Sequence, residues 1–309
     1  MRLLITGISG YVARVALPFL LADDAVDSIT GLDVKPLETS HPKLKFITGD
    51  IRSFPLRELL RDIDVVLHLA FIVTEIKDKK TIHDINVNGT ARLLEAMKGT
   101  GVKKLVAASS ITAYGSHPDH PGLITEDTPL RGNKESYYSA SKLEMERLLD
   151  ILEKENPEMI VTRLRPSILC GAGTDNFFLW ILQQKLVLFP MENPDGLPVV
   201  YDRDVGRAFH LAVKIDAPGA FNITGGNLTV TAMCGILRKP SIALPWRILK
   251  PISDFGYLLG LSPMSSHWAL LGRHPFNASN EKAKRVLGWT PEKSPEESFI
   301  EMVETWKAK

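Results

Sequence analysis

Two side chains four residues apart, Tyr138 and Lys142, are the pair in this sequence best suited to moving a proton. At 3.6 residues per turn the spacing puts a phenol and an ammonium on one helix face, one turn apart and close enough to share a ligand. A cation beside a tyrosine favours its phenolate. Free tyrosine titrates near pH ~10 and each unit of lowering takes roughly 1.4 kcal/mol, so bringing it towards neutrality takes several such steps. The lysine together with a bound cationic ring would supply them. By itself the pair also fits a surface tyrosine beside a solvated lysine, so the elements that carry it have to decide.

Those elements alternate strand and helix. Ser136 can cap a helix that carries the pair and runs to about Asn156. At the amino end a strand over 2–6 leads straight into Gly7-Ile8-Ser9-Gly10 and a helical pattern. Gly7 suits a tight turn, Gly10 lets the backbone approach a pyrophosphate, and the small Ala13 lets the helix pack closely on the strand. A phosphate would then rest on the helix N-terminus. Pro18 is expected to kink or break this helix.

A second strand over 28–32 ends at Asp33, about 20 residues past the glycine turn, where an acid can accept hydrogen bonds from an adenosine ribose. A carboxylate there repels a 2′-phosphate and favours NAD over NADP, although Arg14 and Lys35 are near enough to keep NADP open. Strands over 44–48 and 63–69 deliver Gly49-Asp50-Ile51 and Leu69-Ala70-Phe71. Ligands of an open parallel sheet lie beyond the carboxyl ends of its strands, so Asp50 and Ala70 are placed for binding. His68, inside an apolar strand, is read as core. An amphipathic helix over 81–97 precedes a strand over 103–108 that ends at Ser109-Ser110, and a strand over 159–164 ends at Arg165-Pro166. Such alternation implies right-handed crossovers and a doubly wound parallel α/β sheet, Rossmann-like.

Bulk properties narrow the partners. With 309 residues and 44% hydrophobic content the chain can bury a large core, as one domain plus a smaller lobe. A formal charge of +1 without blocks of like charge asks for neither nucleic acid nor an anionic membrane, and points to a small-molecule ligand. Two cysteines are too few for a disulfide framework or a structural zinc site, so no metal is expected and a reducing cytoplasm fits. The apolar start turns to glycine at Gly7, before a signal core could form, and no run reaches membrane-spanning length.

Together the motifs resemble the extended short-chain dehydrogenase/reductase family, also described as the NAD-dependent epimerase/dehydratase family. The resemblance covers almost the whole chain. It rests on Thr6-Gly7-x-x-Gly10-x-x-Ala13, Asp33, Gly49-Asp50-Ile51, His68-Leu69-Ala70, Asn86-Val87-Asn88-Gly89-Thr90 and Ser109-Ser110-x-x-x-Tyr114-Gly115. It continues through Tyr138-x-x-x-Lys142, Arg165-Pro166, Asp202-Arg203-Asp204-Val205 and Leu287-Gly288-Trp289-Thr290-Pro291. The resemblance implies catalytic roles for three residues. Tyr138 would exchange a proton with a substrate hydroxyl or carbonyl, Lys142 would bind the nicotinamide ribose and lower the phenol's pKa, and Ser110, ahead of Ser109, would hydrogen-bond the same substrate oxygen. It implies NAD contacts by Gly7, Gly10, Tyr11, Val12, Asp33, Asp50, Ile51, Leu69, Ala70, Lys142 and Pro166. Phe71 departs from the family's usually small residue and would narrow the site. Tyr137, one position off the lysine register, reads as packing.

The same resemblance divides the chain into a dinucleotide-binding domain over 1–170, rejoined by 197–226, and a smaller substrate lobe over 171–196 and 227–309. Residues 176–188 read as an apolar helix-like run. Aromatics such as Trp246, Phe255, Tyr257 and Trp268 are expected mostly to pack against one another. No arginine clamp for a substrate diphosphate is evident, leaving Arg207, Arg238, Arg247 and Arg273 as candidates. A weakly charged alcohol or ketone is therefore preferred over a sugar nucleotide. The expected function is an NAD-dependent oxidoreductase; a sugar-nucleotide epimerase or dehydratase with tightly held NAD and a non-catalytic dinucleotide sensor are the alternatives. A homodimer through the helices over 81–97 and 136–156 is expected from the family.

Overall fold

The computed structural model describes residues 1–76, 78–174, 179–180, 183–262 and 265–308. Strand β1 (Arg2–Thr6) feeds helix α1 (Tyr11–Leu21), which is followed by β2 (Ser28–Asp33), β3 (Leu44–Thr48), a short α2 (Leu56–Leu59) and β4 (Val65–His68). The expected break at Pro18 does not occur, because α1 has only its final turn left and carries on to Leu21. The next helix opens as α3 (Lys79–His83), widens into a π turn over Asp84–Asn88 and continues as α4 (Gly89–Met97). The turn widens where Asn86 swings its amide to Ile72, accepting from the backbone nitrogen at 2.7 Å and donating to the carbonyl at 3.0 Å.

After β5 (Lys104–Ala108) come a 3₁₀ turn over Ile111–Tyr114, helix α5 (Tyr137–Glu155) and β6 (Ile160–Pro166). Ser136 does cap α5, its side chain accepting from the Ser139 amide. Beyond β7 (Ile168–Cys170), β8 (Val187–Pro190) and β9 (Leu197–Tyr201) lie α6 (Asp202–Lys214), β10 (Gly219–Ile223), β11 (Gly226–Leu228) and α7 (Val230–Leu237). The chain closes with β12 (Ser241–Leu244), α8 (Trp246–Leu258), α9 (Ser266–Leu271), α10 (Glu281–Leu287) and α11 (Pro295–Lys307). Of the helix-like run read over 176–188, residues 176–178 and 181–182 lie outside the described residues; 179, 180 and 183 are helical, and the run ends in β8.

Among the described residues the main sheet holds seven parallel strands in the order β10-β6-β5-β4-β1-β2-β3. Strand order reverses between β1 and β4, so the two halves diverge at that point and leave a crevice at their carboxyl ends. One apolar layer packs α1 and α6 on one face, with Trp289 buried among them; a second packs α4 and α5 on the other. β10 pairs with β6 at the edge of the main sheet and α6 packs beside α1 on its face, whereas β9 pairs with β7 and β11 in a separate small sheet. β8 and β12 form a third, two-stranded sheet.

Candidate active site

The ligand edge starts at the turn between β1 and α1. Gly7 sits at φ 75°, and a Cβ there would lie 2.5 Å from the Ala70 nitrogen, so the turn closes on β4 only because residue 7 has no side chain. At Gly10 a Cβ would meet only the Gly7 carbonyl, at 3.1 Å. Helix α1 begins at Tyr11 and Val12 with no side-chain cap and no acid in its first turn. Its first amides are therefore left for an anion. Asp33, half-buried at the end of β2, accepts from the Ser9 amide with one carboxylate oxygen and from the Lys35 amide with the other, each at 2.9 Å.

The remaining cofactor candidates are distributed unevenly. Leu69 and Ala70 are half-buried at the end of β4, against Gly7. Asp50 does not stand open. Arg52 grips it through Nη2 at 2.7 Å and Nε at 3.1 Å and reaches Asp84 with Nη1 at 2.9 Å, a grip that lowers the Asp50 pKa. Ile51 is buried in the core, and Pro166 ends β6 opposite Ile223. The Tyr11 phenol donates to Asp202, at the start of α6, at 3.1 Å.

Ser110, Tyr138 and Lys142 do come together, past the ends of β4 and β5. Ser109 turns inward to the Glu146 carboxylate, while Ser110 caps the 3₁₀ turn, accepts from the Thr112 amide and hydroxyl, and lies beside the Tyr138 phenol. Half-buried Tyr138 has Phe71 edge-on at 5.7 Å and Trp268 stacked at 5.5 Å. Lys142 is buried one turn on; its Nζ donates to the Ala108 carbonyl at 2.6 Å and lies 3.4 Å over the Phe71 ring and 5.8 Å from the Tyr138 ring centre. Burial dominates the titration of both groups. It raises the Tyr138 pKa above 10, with the Ser110 hydrogen bond offsetting part of the shift, and it pushes Lys142 down to about 7 against the pull of Glu146.

A buried polar layer orients α5. Glu146, one turn below Lys142, takes Arg165 Nε at 2.8 Å and Nη2 at 3.0 Å; Arg165 Nη1 donates to the Tyr114 hydroxyl, which donates to Asn222 at 2.9 Å. His68 is core, as its sequence setting indicates. Burial lowers its pKa to about 3, and it lies between the Thr6 hydroxyl at 2.7 Å and the Thr90 hydroxyl at 2.8 Å. Because Thr90 donates its own proton to the Asn86 carbonyl, the neutral ring donates through Nε2 and accepts at Nδ1.

Two residues whose place at the site the sequence does not show close it from above; it reads Trp268 only among aromatics expected mostly to pack against one another. Trp268 comes from α9, 130 positions after Tyr138, and Glu75 accepts from Ser265 at the head of that helix and from Lys79. No local pattern announces either. Tyr137 packs as expected, its hydroxyl on the Val73 carbonyl and Trp268 edge-on to its ring. Of the four arginines held for a diphosphate, Arg207 is committed to Asp204 and Glu292, Arg238 and Arg247 are exposed, and Arg273 lies over the Trp246 ring with its buried Nε lacking a hydrogen-bond partner.

The sequence model of the NAD dependent epimerase/dehydratase family matches residues 3–224. The chain belongs to that family. A UDP-glucose 4-epimerase of Mycolicibacterium smegmatis is 27% identical over 337 residues, covering 100% of this chain and 99% of that protein. A dTDP-glucose 4,6-dehydratase of Streptomyces griseus is 35% identical over 155 residues, 46% of each chain. Among solved structures, MoeE5 in complex with UDP-glucuronic acid and NAD superposes with a TM-score of 0.79 at 22% identity, over 100% of this chain and 99% of that one. DesIV, the dTDP-glucose 4,6-dehydratase of Streptomyces venezuelae solved with NAD and TYD bound, gives 0.77 at 23% identity over 100% and 98%. As a member of this family the protein is an NAD-dependent enzyme of the short-chain dehydrogenase/reductase type. The edge fits that cofactor: the space beside Gly10 and the uncapped α1 suit a pyrophosphate, and Asp33 ends β2 as a ribose acceptor would.

Proposed function

We propose that this enzyme exchanges a hydride between NAD and a secondary alcohol or ketone, with Tyr138 carrying the proton. The observation behind this reading is the Tyr138 phenol at the ligand edge, beside Ser110 and one helical turn from Lys142, whose Nζ lies 5.8 Å from the phenol ring centre. In the oxidative direction the substrate hydroxyl passes its proton to the Tyr138 phenolate as its carbon gives up a hydride, leaving a ketone; reduction runs the reverse way. NAD bound along the edge supplies the hydride acceptor. Ser110 holds the reacting oxygen against the phenol. Burial raises the phenol's pKa in the ligand-free chain, so the charged Lys142 and the cationic nicotinamide ring together must offset that burial for the phenolate to form, and Lys142 would also bind the ribose. Gly7, Gly10, Tyr11 and Val12 cradle the pyrophosphate by backbone, Asp33 accepts from the adenosine ribose, and Leu69 and Ala70 line the dinucleotide. Asp50, Ile51 and Pro166 stand behind them.

The aromatic walls support a substrate with little charge near the reacting carbon. Phe71 and Trp268 flank the phenol, and Arg207 is committed elsewhere. The same reading makes the enzyme a cytoplasmic homodimer paired through α4 and α5; both cysteines are buried and free, which suits a reducing compartment.

A second reading, a sugar-nucleotide epimerase or dehydratase that regenerates its NAD within each turnover, draws on two observations. The full-length mycobacterial relative bears an epimerase's name, and the Arg273 Nε is unpartnered. Incubating the purified enzyme with NAD and a panel of secondary alcohols, or with UDP-glucose, separates the two. Accumulating NADH is expected from an alcohol. Conversion of UDP-glucose with no net nicotinamide reduction, abolished by Arg273→Ala, would replace the first reading with the second.

A further inference from the structure

Large apolar side chains that reach solvent are massed on the second lobe. Helix α8 buries Leu249 on its inner side and turns Ile248, Ile252 and Phe255 outward at i, i+4 and i+7, a single stripe. The chain carries the stripe on through Leu258, Leu259 and Leu261; Phe255 is 61%, Leu261 75% and Leu258 79% exposed. Ile242 on neighbouring β12 is exposed as well. Sequence alone suggested that Phe255 packs within the lobe, and the structure puts it outside. Contiguous apolar surface of this kind marks an interaction site.

Charge selects the occupant. Between residues 238 and 262 stand Arg238, Lys239, Arg247 and Lys250 against one acid, Asp254, which Lys250 holds at 2.6 Å. The near-neutral total charge of the chain hides this local excess. A second copy meeting the face across a two-fold axis would set these cations against one another. Anionic headgroups complement them while the acyl boundary takes the stripe.

We propose that the second lobe docks on an anionic lipid bilayer, with α8 lying in the plane of the interface. Among the described residues no helix is long and apolar enough to cross a membrane, so the attachment is peripheral. α9 packs on α8 and carries Trp268 onto Tyr138, which puts the docked face one helix from the reacting phenol.

Co-sedimentation of the full chain with phosphatidylcholine vesicles, with and without phosphatidylglycerol, tests the proposal. Binding to the anionic vesicles is expected to weaken with added salt and to fall at least about tenfold in the Phe255→Glu/Leu258→Glu double variant. NAD affinity should stay unchanged, which confirms that the double variant folds. Should it fail to fold, Arg247→Glu/Lys250→Glu, confined to exposed charges, takes its place and is expected to lose the preference for anionic vesicles. Failure of the wild type to bind anionic vesicles overturns the proposal, as does equal binding to neutral ones. So does a wild-type dimer, seen by light scattering, that either variant dissociates, because the face would then belong to a second copy.

Discussion

The cofactor half and the substrate half of the ligand edge are built from different materials. On the cofactor side the shape is made by backbone: a left-handed glycine pressed on Ala70, an uncapped helix start, and a carboxylate whose two oxygens each hold an amide. On the proposed substrate side it is made by side chains from four separate stretches, Phe71, Ser110, Tyr138 and Trp268. A backbone site can hardly change without breaking the fold. A side-chain site can be rebuilt one ring at a time while the sheet beneath it stays as it is.

Gly7→Ala strikes the backbone side and should have the largest effect. The new methyl would need a positive φ and would fall within 2.6 Å of two Ala70 backbone atoms, neither of which can rotate away. A loss of at least about 3 kcal/mol of stability is expected, with NAD binding lost too. Thermal unfolding and an NAD titration measure both; a variant that melts and binds like wild type would show that the turn is not as tight as drawn.

Tyr138→Phe strikes the substrate side and should leave the fold alone, since the ring keeps its contacts with Phe71 and Trp268. Turnover is expected to drop at least about a hundredfold while NAD affinity stays put. Steady-state kinetics beside calorimetry read the split. Near-normal turnover would take the proton-carrying role away from Tyr138, and an absence of turnover in wild type would favour the dinucleotide sensor.

Lys142 belongs to both halves, and its effect is read in stability. Burial pushes its pKa down to about 7 from 10.5 in a free chain, so between those values the unfolded state binds the extra proton. Stability should therefore rise with pH through that window, by up to about 1.4 kcal/mol per unit, and the penalty should be constant below it. Lys142→Met removes this contribution. Melting curves at neutral and at alkaline pH should show a smaller alkaline gain in the variant than in wild type; equal gains would mean that the amine is better solvated than its setting implies.

How far the sequence could be read follows the same division. The strand ends, the glycine turn and the Ser136 cap are local, set by a few consecutive residues, and they appear where the pattern puts them. Ser110 could be preferred to Ser109 by motif alone, and the structure gives the physical reason in the Glu146 carboxylate that claims Ser109. The π turn was not legible, because it depends on Asn86 finding Ile72 across a loop. Trp268 was legible as a second-lobe aromatic but not as a partner of Tyr138, and Glu75 was not legible at all, since the contacts that matter join residues 130 and 190 positions apart. Asp50 was legible as a strand-end acid but not as one committed to Arg52, for an ion pair at i, i+2 in an irregular turn has no periodic signature.

Asp33→Ala makes the smallest change and tests whether the cofactor side is backbone alone. The carboxylate serves two ends at once. Its oxygens hold the Ser9 and Lys35 amides, which fixes the glycine turn against β2, and its charge faces the place where an adenosine ribose would lie. Loss of the amide contacts should weaken NAD and NADP alike by loosening the turn. Loss of the charge should weaken NAD further, through the missing ribose acceptor, and spare NADP, whose 2′-phosphate the carboxylate repels. The net expectation is about a tenfold loss for NAD, near 1.4 kcal/mol, with a clearly smaller loss for NADP. Paired titrations of the two dinucleotides against wild type and variant give the ratio directly. Equal losses would leave Asp33 as a strut for the turn, and the preference for NAD would then have to come from elsewhere on the edge.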